Sequence, residues 1–256
     1  MESWEAALDK FLGEWRGRKE VVGALVCGSF VTGSPTAHSD IDVYIILADG
    51  TAWRERGDVR VDGFLIEYFA NPPSQIRAYF EGEYPANSRI TATLVATGRV
   101  LFDKTGTIAE IRREARRWIR KPFAKPGKLA IESAKYGLWD NLDDLQDTYE
   151  RRVPDFAYRY HQLLRQAYAA YAKFLRQPVV GVSKQYKCLH EPEKARGNYR
   201  MPPFPDEEFL SLFDKAMMET DAARMLERAE KLTRYVLAKM GGFEINGWEL
   251  RTPAKT

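Results

Sequence analysis

The chain has 256 residues, of which 45% are hydrophobic and 29% are charged, a composition typical of globular proteins and unlike that of disordered chains. Its 39 Lys and Arg against 36 Asp and Glu give a formal net charge of +3, which is too small to indicate nucleic-acid or membrane binding by itself. Two cysteines, with no Cys/His cluster at zinc spacing, exclude a disulfide framework and a zinc module.

The amino-terminal residues lack the basic and apolar regions of a secretory signal. The longest apolar runs, Val21 to Cys27 and Val43 to Ala48, are far shorter than the roughly 18 residues that cross a bilayer. We therefore expect a cytoplasmic protein with no membrane partner.

The first hundred residues predict a mixed α/β domain. Apolar residues at helical spacing predict an amphipathic helix from Ser3 to Trp15. Strands are predicted at Val21 to Cys27, Ile41 to Leu47 and Phe64 to Phe69, with a shorter one at Val100 to Phe102.

After about residue 107 the pattern changes to long helices. Leu129 to Glu150 and Asp155 to Arg176 carry apolar stripes with a period near 3.6, and Asp221 is placed to cap a last helix. The sequence thus predicts an α+β protein: a mixed-sheet domain over residues 1–107, followed by an all-α helical bundle over residues 108–256.

Two carboxylates stand at the start of the second predicted strand. Asp40 and Asp42 are one residue apart on an extended chain, so their side chains leave the same face. Two like charges so close together require a cation, and an Asp-x-Asp pair of oxygen ligands suits Mg²⁺.

A phosphate cradle is predicted opposite these acids. Gly28 follows the first strand and allows close approach of a ligand, while the amides after it and the Ser29 hydroxyl offer donors to an anion. Ser39 is a further candidate nucleotide contact. Phosphate donors facing metal-binding carboxylates suit a nucleoside triphosphate such as ATP.

A third acid is expected on the next strand. Glu67 is the one charge in an otherwise apolar run, and a lone buried carboxylate is usually paired or metal-bound. It could bind a second metal ion or act as a general base. Asp62, near the same strand, is an alternative third acid.

These motifs resemble the DNA polymerase β nucleotidyltransferase superfamily, in which a hydrophobic-Gly-Ser segment is followed after ten residues by Asp-hydrophobic-Asp and later by an acid on another strand. With a helical bundle following, the chain is similar to the aminoglycoside nucleotidyltransferases. The resemblance implies that Asp40, Asp42 and Glu67 bind two Mg²⁺ ions, that Gly28 and Ser29 contact the triphosphate, and that a nucleoside monophosphate moves to a hydroxyl.

The chain departs from the bacterial pattern Gly-Ser-x-Ala-Arg-Gly at one position. Thr32 stands where that pattern has Arg, so a positive charge near the phosphates is missing. Lys184, beside a predicted helix start, is our candidate for its replacement.

Two charge runs have no role fixed by the pattern. Arg112 to Lys128 holds eight basic residues and one acid, and Asp140 to Glu150 holds five acids and no base. A solvated helix face explains the basic run better than a nucleic acid or partner does. The acidic run could hold a cationic acceptor such as an amino sugar, or could be solvated surface.

We expect an adenylyltransferase that uses ATP, or another triphosphate, and a hydroxyl-bearing small molecule such as an aminoglycoside-like antibiotic. One alternative is a protein-AMPylating enzyme of the toxin-antitoxin type, and another is a non-catalytic nucleotide-binding module. No strong nucleic-acid signal is present, and a homodimer is a possible assembly.

Overall fold

The computed structural model describes residues 3–191, 201–252 and 254. They form two compact units, one ending at Pro122 and one beginning at Phe123. The first contains a five-stranded mixed sheet with helices, and the described part of the second is helical, so the predicted α+β class is confirmed.

The first unit alternates helices and strands along the chain. Its elements are α1 (Trp4–Arg16), β1 (Val21–Cys27), α2 (Ser29–Thr32), β2 (Ile41–Leu47), β3 (Glu55–Val61), β4 (Phe64–Asn71), α3 (Pro73–Glu83), a 3₁₀ turn (Tyr84–Ala86), α4 (Ile90–Thr97), β5 (Arg99–Asp103) and α5 (Thr107–Arg120).

The sheet has the strand order β3-β4-β2-β1-β5. β2 runs parallel to β4, while the β1–β2, β1–β5 and β3–β4 pairs are antiparallel. β1 and nearly all of β2 are buried because they are central strands with both faces covered by helices.

One face of the sheet packs against α1. The Ser3 side chain accepts a hydrogen bond from the Ala6 backbone N–H at 3.3 Å and so begins this helix. Leu8, Leu12 and Trp15 are buried in a core cluster with side chains of that sheet face. The predicted first helix is confirmed within one residue at each end.

The opposite face packs against α3, α4 and α5. Buried side chains of these helices, such as Ile76, Val95 and Ile111, share a core cluster with Leu25 and Ile46 of the central strands. Because α5 packs on β1 and β5, the first unit continues past residue 107 to Pro122.

β3 is an edge strand that the sequence did not predict. Arg56, Asp58 and Arg60 alternate along it, and most of its residues are exposed. Charged residues protect an exposed sheet edge from pairing with other chains. It joins β4 through Asp62 and Gly63, whose φ values of 51° and 90° fit a tight hairpin turn.

The second unit is built from helices that pack around one apolar core. They are α6 (Lys128–Glu150), α7 (Phe156–Phe174), α8 (Val182–His190), α9 (Glu207–Met217) and α10 (Ala222–Lys239). The helices predicted at Leu129 to Glu150 and Asp155 to Arg176 lie within two residues of α6 and α7. Asp221 caps α10 by accepting from the Arg224 backbone N–H at 3.1 Å.

Among the described residues, no helix combines the length and the apolar character needed to span a bilayer.

Candidate metal centre

Strand register brings the three predicted acids together. Asp42 on β2 is the register partner of Glu67 on the parallel strand β4. Asp40 lies two residues before Asp42, so alternation of side chains puts it on the same face. One carboxylate oxygen from each of the three lies within 4.8 Å of the others. The three acids therefore form a half-buried carboxylate cluster at the start of β2.

The cluster lies on the sheet face that α3, α4 and α5 cover. Ile41 and Val43, the neighbours of Asp42, belong to the core under α1, whereas Tyr44 belongs to the opposite core. Side chains alternate along a strand, so Asp42 projects on the Tyr44 side. Ile66 and Phe69 place Glu67 on that side in the same way.

Gly28 gives Asp42 the room that it occupies. Its φ of 72° lies in the left-handed region, which favours glycine. A Cβ added at this position would lie 1.9 Å from Oδ2 of Asp42. Cys27, the preceding residue, is also the β1 register partner of Asp42. The glycine of the predicted Gly-Ser bend thus has a direct structural relation to a cluster carboxylate.

The bend after β1 continues into α2, a helix of four residues. Ser29 begins it, and Gly33 ends it at a φ of 76°. Ser39 lies in the loop before β2, where its hydroxyl accepts from the Thr36 backbone N–H at 2.8 Å. Nucleotide contacts by Gly28, Ser29 and Ser39 stay predictions.

Arg56 on β3 is a residue of the site that sequence reasoning missed. Its Nε donates to Oε1 of Glu67 at 3.1 Å, and its Nη2 donates to the same oxygen. The guanidinium carbon also lies 5.0 Å from the centre of the Phe69 ring. The Arg56 side chain is 69% exposed against 16% for Glu67, so this arginine covers the third carboxylate from the solvent side. The sequence signal that could have indicated β3 is the alternation of charged residues at Arg56, Asp58 and Arg60.

Cys27 behaves as a core residue next to this site. Burial raises the pKa of its thiol well above the usual range, and the neighbouring Asp42 carboxylate raises it further, although Arg112 acts in the opposite direction. Its Sγ lies 3.4 Å from the Leu94 carbonyl oxygen. Cys27 is 1% exposed and does not belong to the carboxylate cluster.

The alternative third acid lies elsewhere. Asp62 sits in the turn between β3 and β4, where its Oδ1 accepts from Lys10 Nζ at 2.8 Å. The cluster contains Glu67 and not Asp62. Lys184 is exposed on α8, in the second unit. Its proposed phosphate contact stays a prediction.

Some residues of the two charge runs form hydrogen bonds or ion pairs within the protein. Arg112 Nε donates to the Val95 carbonyl oxygen at 3.3 Å, which ties α5 to α4. In the acidic run, Asp144 lies 3.5 Å from Arg159 and Asp147 lies 3.1 Å from Arg151. Arginines therefore pair with part of the acidic run, for which both a cationic acceptor and a solvated surface were considered.

Similarity to known proteins is found at the level of solved structures. No protein-family model matches the chain, and none of the curated proteins matches it. A solved structure of a nucleotidyltransferase-like protein from Exiguobacterium sibiricum 255-15 is similar at a TM-score of 0.47 and 12% sequence identity, covering 93% of this chain and 75% of that one.

The carboxylate cluster fits a hard divalent cation. Carboxylate oxygens are the ligands that Mg²⁺ prefers, and one oxygen from each of three side chains can converge on one point. The missing side chain at Gly28 keeps Oδ2 of Asp42 accessible from the β1 side. Asp40, Asp42 and Glu67 are therefore the residues that would hold such an ion.

Proposed function

We propose that the protein is a Mg²⁺-dependent nucleotidyltransferase that moves AMP from ATP to an acceptor hydroxyl and releases pyrophosphate. The observation that carries this proposal is the convergence of Asp40, Asp42 and Glu67, from two strands, at the end of β1 where Gly28 makes its bend. Three clustered like charges cost free energy of folding, so a bound cation is the natural reason for them.

The residues divide between two sides of the proposed reaction. Gly28 and Ser29 lie on the β1 side of the acids and would contact the triphosphate, whose pyrophosphate part leaves. Glu67 lies on the β4 side, from which the acceptor hydroxyl would approach. When bound, the metal ion would neutralise charge on the phosphate oxygens and so lower the barrier by several kcal/mol.

The bond changes follow from this division. The acceptor oxygen forms a bond to the α-phosphorus, and the bond from that phosphorus to the pyrophosphate oxygen breaks. The hydroxyl proton goes to Glu67, if this residue is the base, or to water if it serves as a metal ligand alone. Arg56, which donates to Glu67, would hold this carboxylate in place when no metal ion is bound.

The acceptor in this proposal is a hydroxyl-bearing small molecule. An aminoglycoside-like compound is expected from the resemblance, but arginines pair with two of the acids that would attract its amino groups. A protein hydroxyl and the silent nucleotide-binding module remain the competing possibilities.

The direct experiment is transfer of label from α-³²P-labelled ATP, with GTP in parallel. The protein is incubated with Mg²⁺ and a panel of hydroxyl compounds, including aminoglycosides, and products are separated into small molecules and protein. Label on a small molecule, lost in Glu67→Gln and in chelator, supports the proposal. Label on protein supports the AMPylating alternative. Absence of both transfer and metal-dependent ATP binding contradicts the proposal.

A further inference from the structure

A cavity of about 470 Å³ lies in the first unit, on the same sheet face as the carboxylate cluster. Its walls come from β2, β3 and β4 below and from α3 and α4 above. The lining residues are Tyr44, Arg54, Glu55, Arg56, Phe69, Asn71, Tyr79, Glu83 and Thr91. The volume suits a small molecule.

This cavity adjoins the carboxylate cluster along the strands. Tyr44 and Phe69 are each two residues after Asp42 and Glu67 on the same strands, a separation of about 7 Å. Arg56 lines the cavity and also donates to Glu67. A molecule in the cavity would therefore lie on the β4 side of the acids, opposite the Gly28 bend.

The floor of the cavity is aromatic. Tyr44 and Phe69 are register partners, with ring centres 5.1 Å apart and planes at 30°. Both rings line the cavity, and Tyr44 is buried at 6% exposure. Such a floor suits the face of a flat or aromatic ligand.

Asn71 brings an amide group to the wall of the cavity, where the residue is 4% exposed. An amide can both donate and accept a hydrogen bond, so it suits a polar group of a ligand.

The carboxylates that line the cavity already have hydrogen-bond donors. Glu83 accepts from the Thr91 backbone N–H at 3.0 Å and from its hydroxyl at 2.5 Å. Glu55 accepts from the Tyr68 hydroxyl at 2.6 Å. These bonds stabilise the negative charges and leave fewer lone pairs for a cationic ligand.

The two arginines of the cavity, unlike its carboxylates, have donor groups that a ligand can use. Arg54 donates to the Tyr79 hydroxyl at 2.5 Å and forms no ion pair with a described residue. Arg56 has Glu67 as its carboxylate, which is also one of the candidate metal ligands. A cation held by Glu67 would weaken that ion pair and leave two guanidinium groups to bind an anion.

From these contacts we infer that the cavity binds the acceptor, and that the acceptor is a small aromatic hydroxy compound with an anionic group. That the ligand is the acceptor rests on the proposed function, whereas the binding of such a ligand in the cavity does not. The ring lies on Tyr44 and Phe69, a carboxylate or phosphate meets Arg54 and Arg56, and the hydroxyl faces Glu67. The preference for an anion is opposite to that expected for an aminoglycoside.

The test compares three probes that share a phenol ring and differ in charge: 4-hydroxyphenylacetate, 4-ethylphenol and tyramine. Their binding to the full-length protein is measured by calorimetry without nucleotide, first without and then with Mg²⁺. We expect 4-hydroxyphenylacetate to bind at least tenfold more tightly than tyramine, with 4-ethylphenol between them. Equal or tighter binding of tyramine, or no binding of any probe, overturns the inference.

Two variants locate the site. Arg54→Gln should weaken binding of 4-hydroxyphenylacetate at least fivefold, whereas Arg60→Gln, on β3 but outside the cavity lining, should leave it unchanged. Equal effects of the two would overturn the assignment. Displacement of the probe by adenosine would instead identify a nucleoside site and also overturn it.

Binding can be separated from catalysis. In the absence of Mg²⁺, Asp42→Asn, which should abolish transfer, should bind 4-hydroxyphenylacetate with the affinity of the wild type. If the wild type binds this probe with the expected preference but transfers no nucleotide, the cavity is a ligand site and the proposed reaction has failed. If transfer occurs and the anion preference is absent, the inference fails alone.

Discussion

Carboxylates of the two units are held in opposite ways. In the helical unit, Asp206 caps α9 by accepting from the Phe209 backbone N–H at 2.9 Å, and it also accepts from the hydroxyls of Tyr171 and Tyr235. In the sheet unit, Asp40, Asp42 and Glu67 face one another, with Arg56 contacting Glu67. Asp206 is surrounded by hydrogen-bond donors, whereas the other three carboxylates lie within 4.8 Å of one another.

This difference separates residues that stabilise the fold from residues placed for chemistry. Hydrogen bonds to a charged group typically contribute about 1.5–3 kcal/mol each, so Asp206 belongs to the first kind. Clustered carboxylates lose stability through repulsion, and they recover it when a cation binds.

The largest effect is expected on transfer. Asp42→Asn removes one ligand charge and should lower the rate of nucleotide transfer by about a thousandfold, since a metal ion contributes several kcal/mol to such reactions. The free energy of unfolding should fall by less than about 1 kcal/mol, because a repulsive group is removed. Transfer is followed with labelled ATP, and stability by urea denaturation. Near-normal transfer by Asp42→Asn would show that Asp42 is not needed for the reaction.

The opposite result is expected for Asp206→Ala. It leaves two tyrosine hydroxyls and one backbone N–H of the helical unit without their acceptor, and should lower the free energy of unfolding by about 2–4 kcal/mol. Asp143→Ala, an exposed aspartate on α6, is the matched control and should change it by less than about 0.5 kcal/mol. Equal losses in the two variants would contradict the structural role.

The stabilisation by Asp206 should depend on pH. Burial raises the pKa of this carboxyl, but hydrogen bonds from Tyr171, the Phe209 backbone and Tyr235 outweigh it and hold the pKa below its usual range. A lowered pKa in the folded state gives stability that is complete above the unfolded value, near 3.9, and lost as the pH falls through the folded value. The stability difference between the wild type and Asp206→Ala should therefore shrink below about pH 4. A constant difference down to pH 2 would refute this.

Gly28→Ala should affect both the stability of the fold and the binding of metal. Its Cβ would meet Oδ2 of Asp42 at 1.9 Å, and its φ of 72° is strained for alanine, so we expect a loss of about 1–3 kcal/mol in stability together with weaker metal binding. Gly33→Ala has a similar φ of 76° but nothing within 4 Å, so it controls for backbone strain. If both variants bind metal like the wild type, Gly28 does not shape the site.

The smallest effect is expected at Arg56. Arg56→Gln removes a cation that competes for Glu67, but the arginine side chain is 69% exposed, and ion pairs of exposed side chains are weak because solvent screens them. The affinity for Mg²⁺ should rise by no more than about fivefold. Isothermal titration checks this, with Arg60→Gln as control, and a tenfold loss of affinity would show that Arg56 supports the site instead.

The strongly patterned parts of this fold were predictable from the sequence. The three carboxylates follow from Asp-x-Asp at a strand start and from the lone charge at Glu67 in an apolar strand. α6, α7 and α10 follow from long apolar stripes, because periodicity over many residues is a strong signal. In each case the burial of apolar neighbours fixes where the element lies.

The edge of the sheet was not predictable in the same way. β3 carries charges at alternate positions and lacks the apolar alternation of a half-buried strand, so its partner β4 and not its own sequence defines it. Without β3, neither Arg56 beside Glu67 nor the cavity above Tyr44 and Phe69 could be inferred. These contacts depend on tertiary pairing that no local pattern shows.

The central claim is that three carboxylates hold one divalent cation, and Mn²⁺ binding followed by electron paramagnetic resonance tests it most directly. Mn²⁺ replaces Mg²⁺ at oxygen sites, and its free form gives a signal that falls on binding. The wild type and Asp62→Asn should bind Mn²⁺ equally, and Glu67→Gln should bind it at least tenfold more weakly. Wild-type affinity in Glu67→Gln would contradict the account.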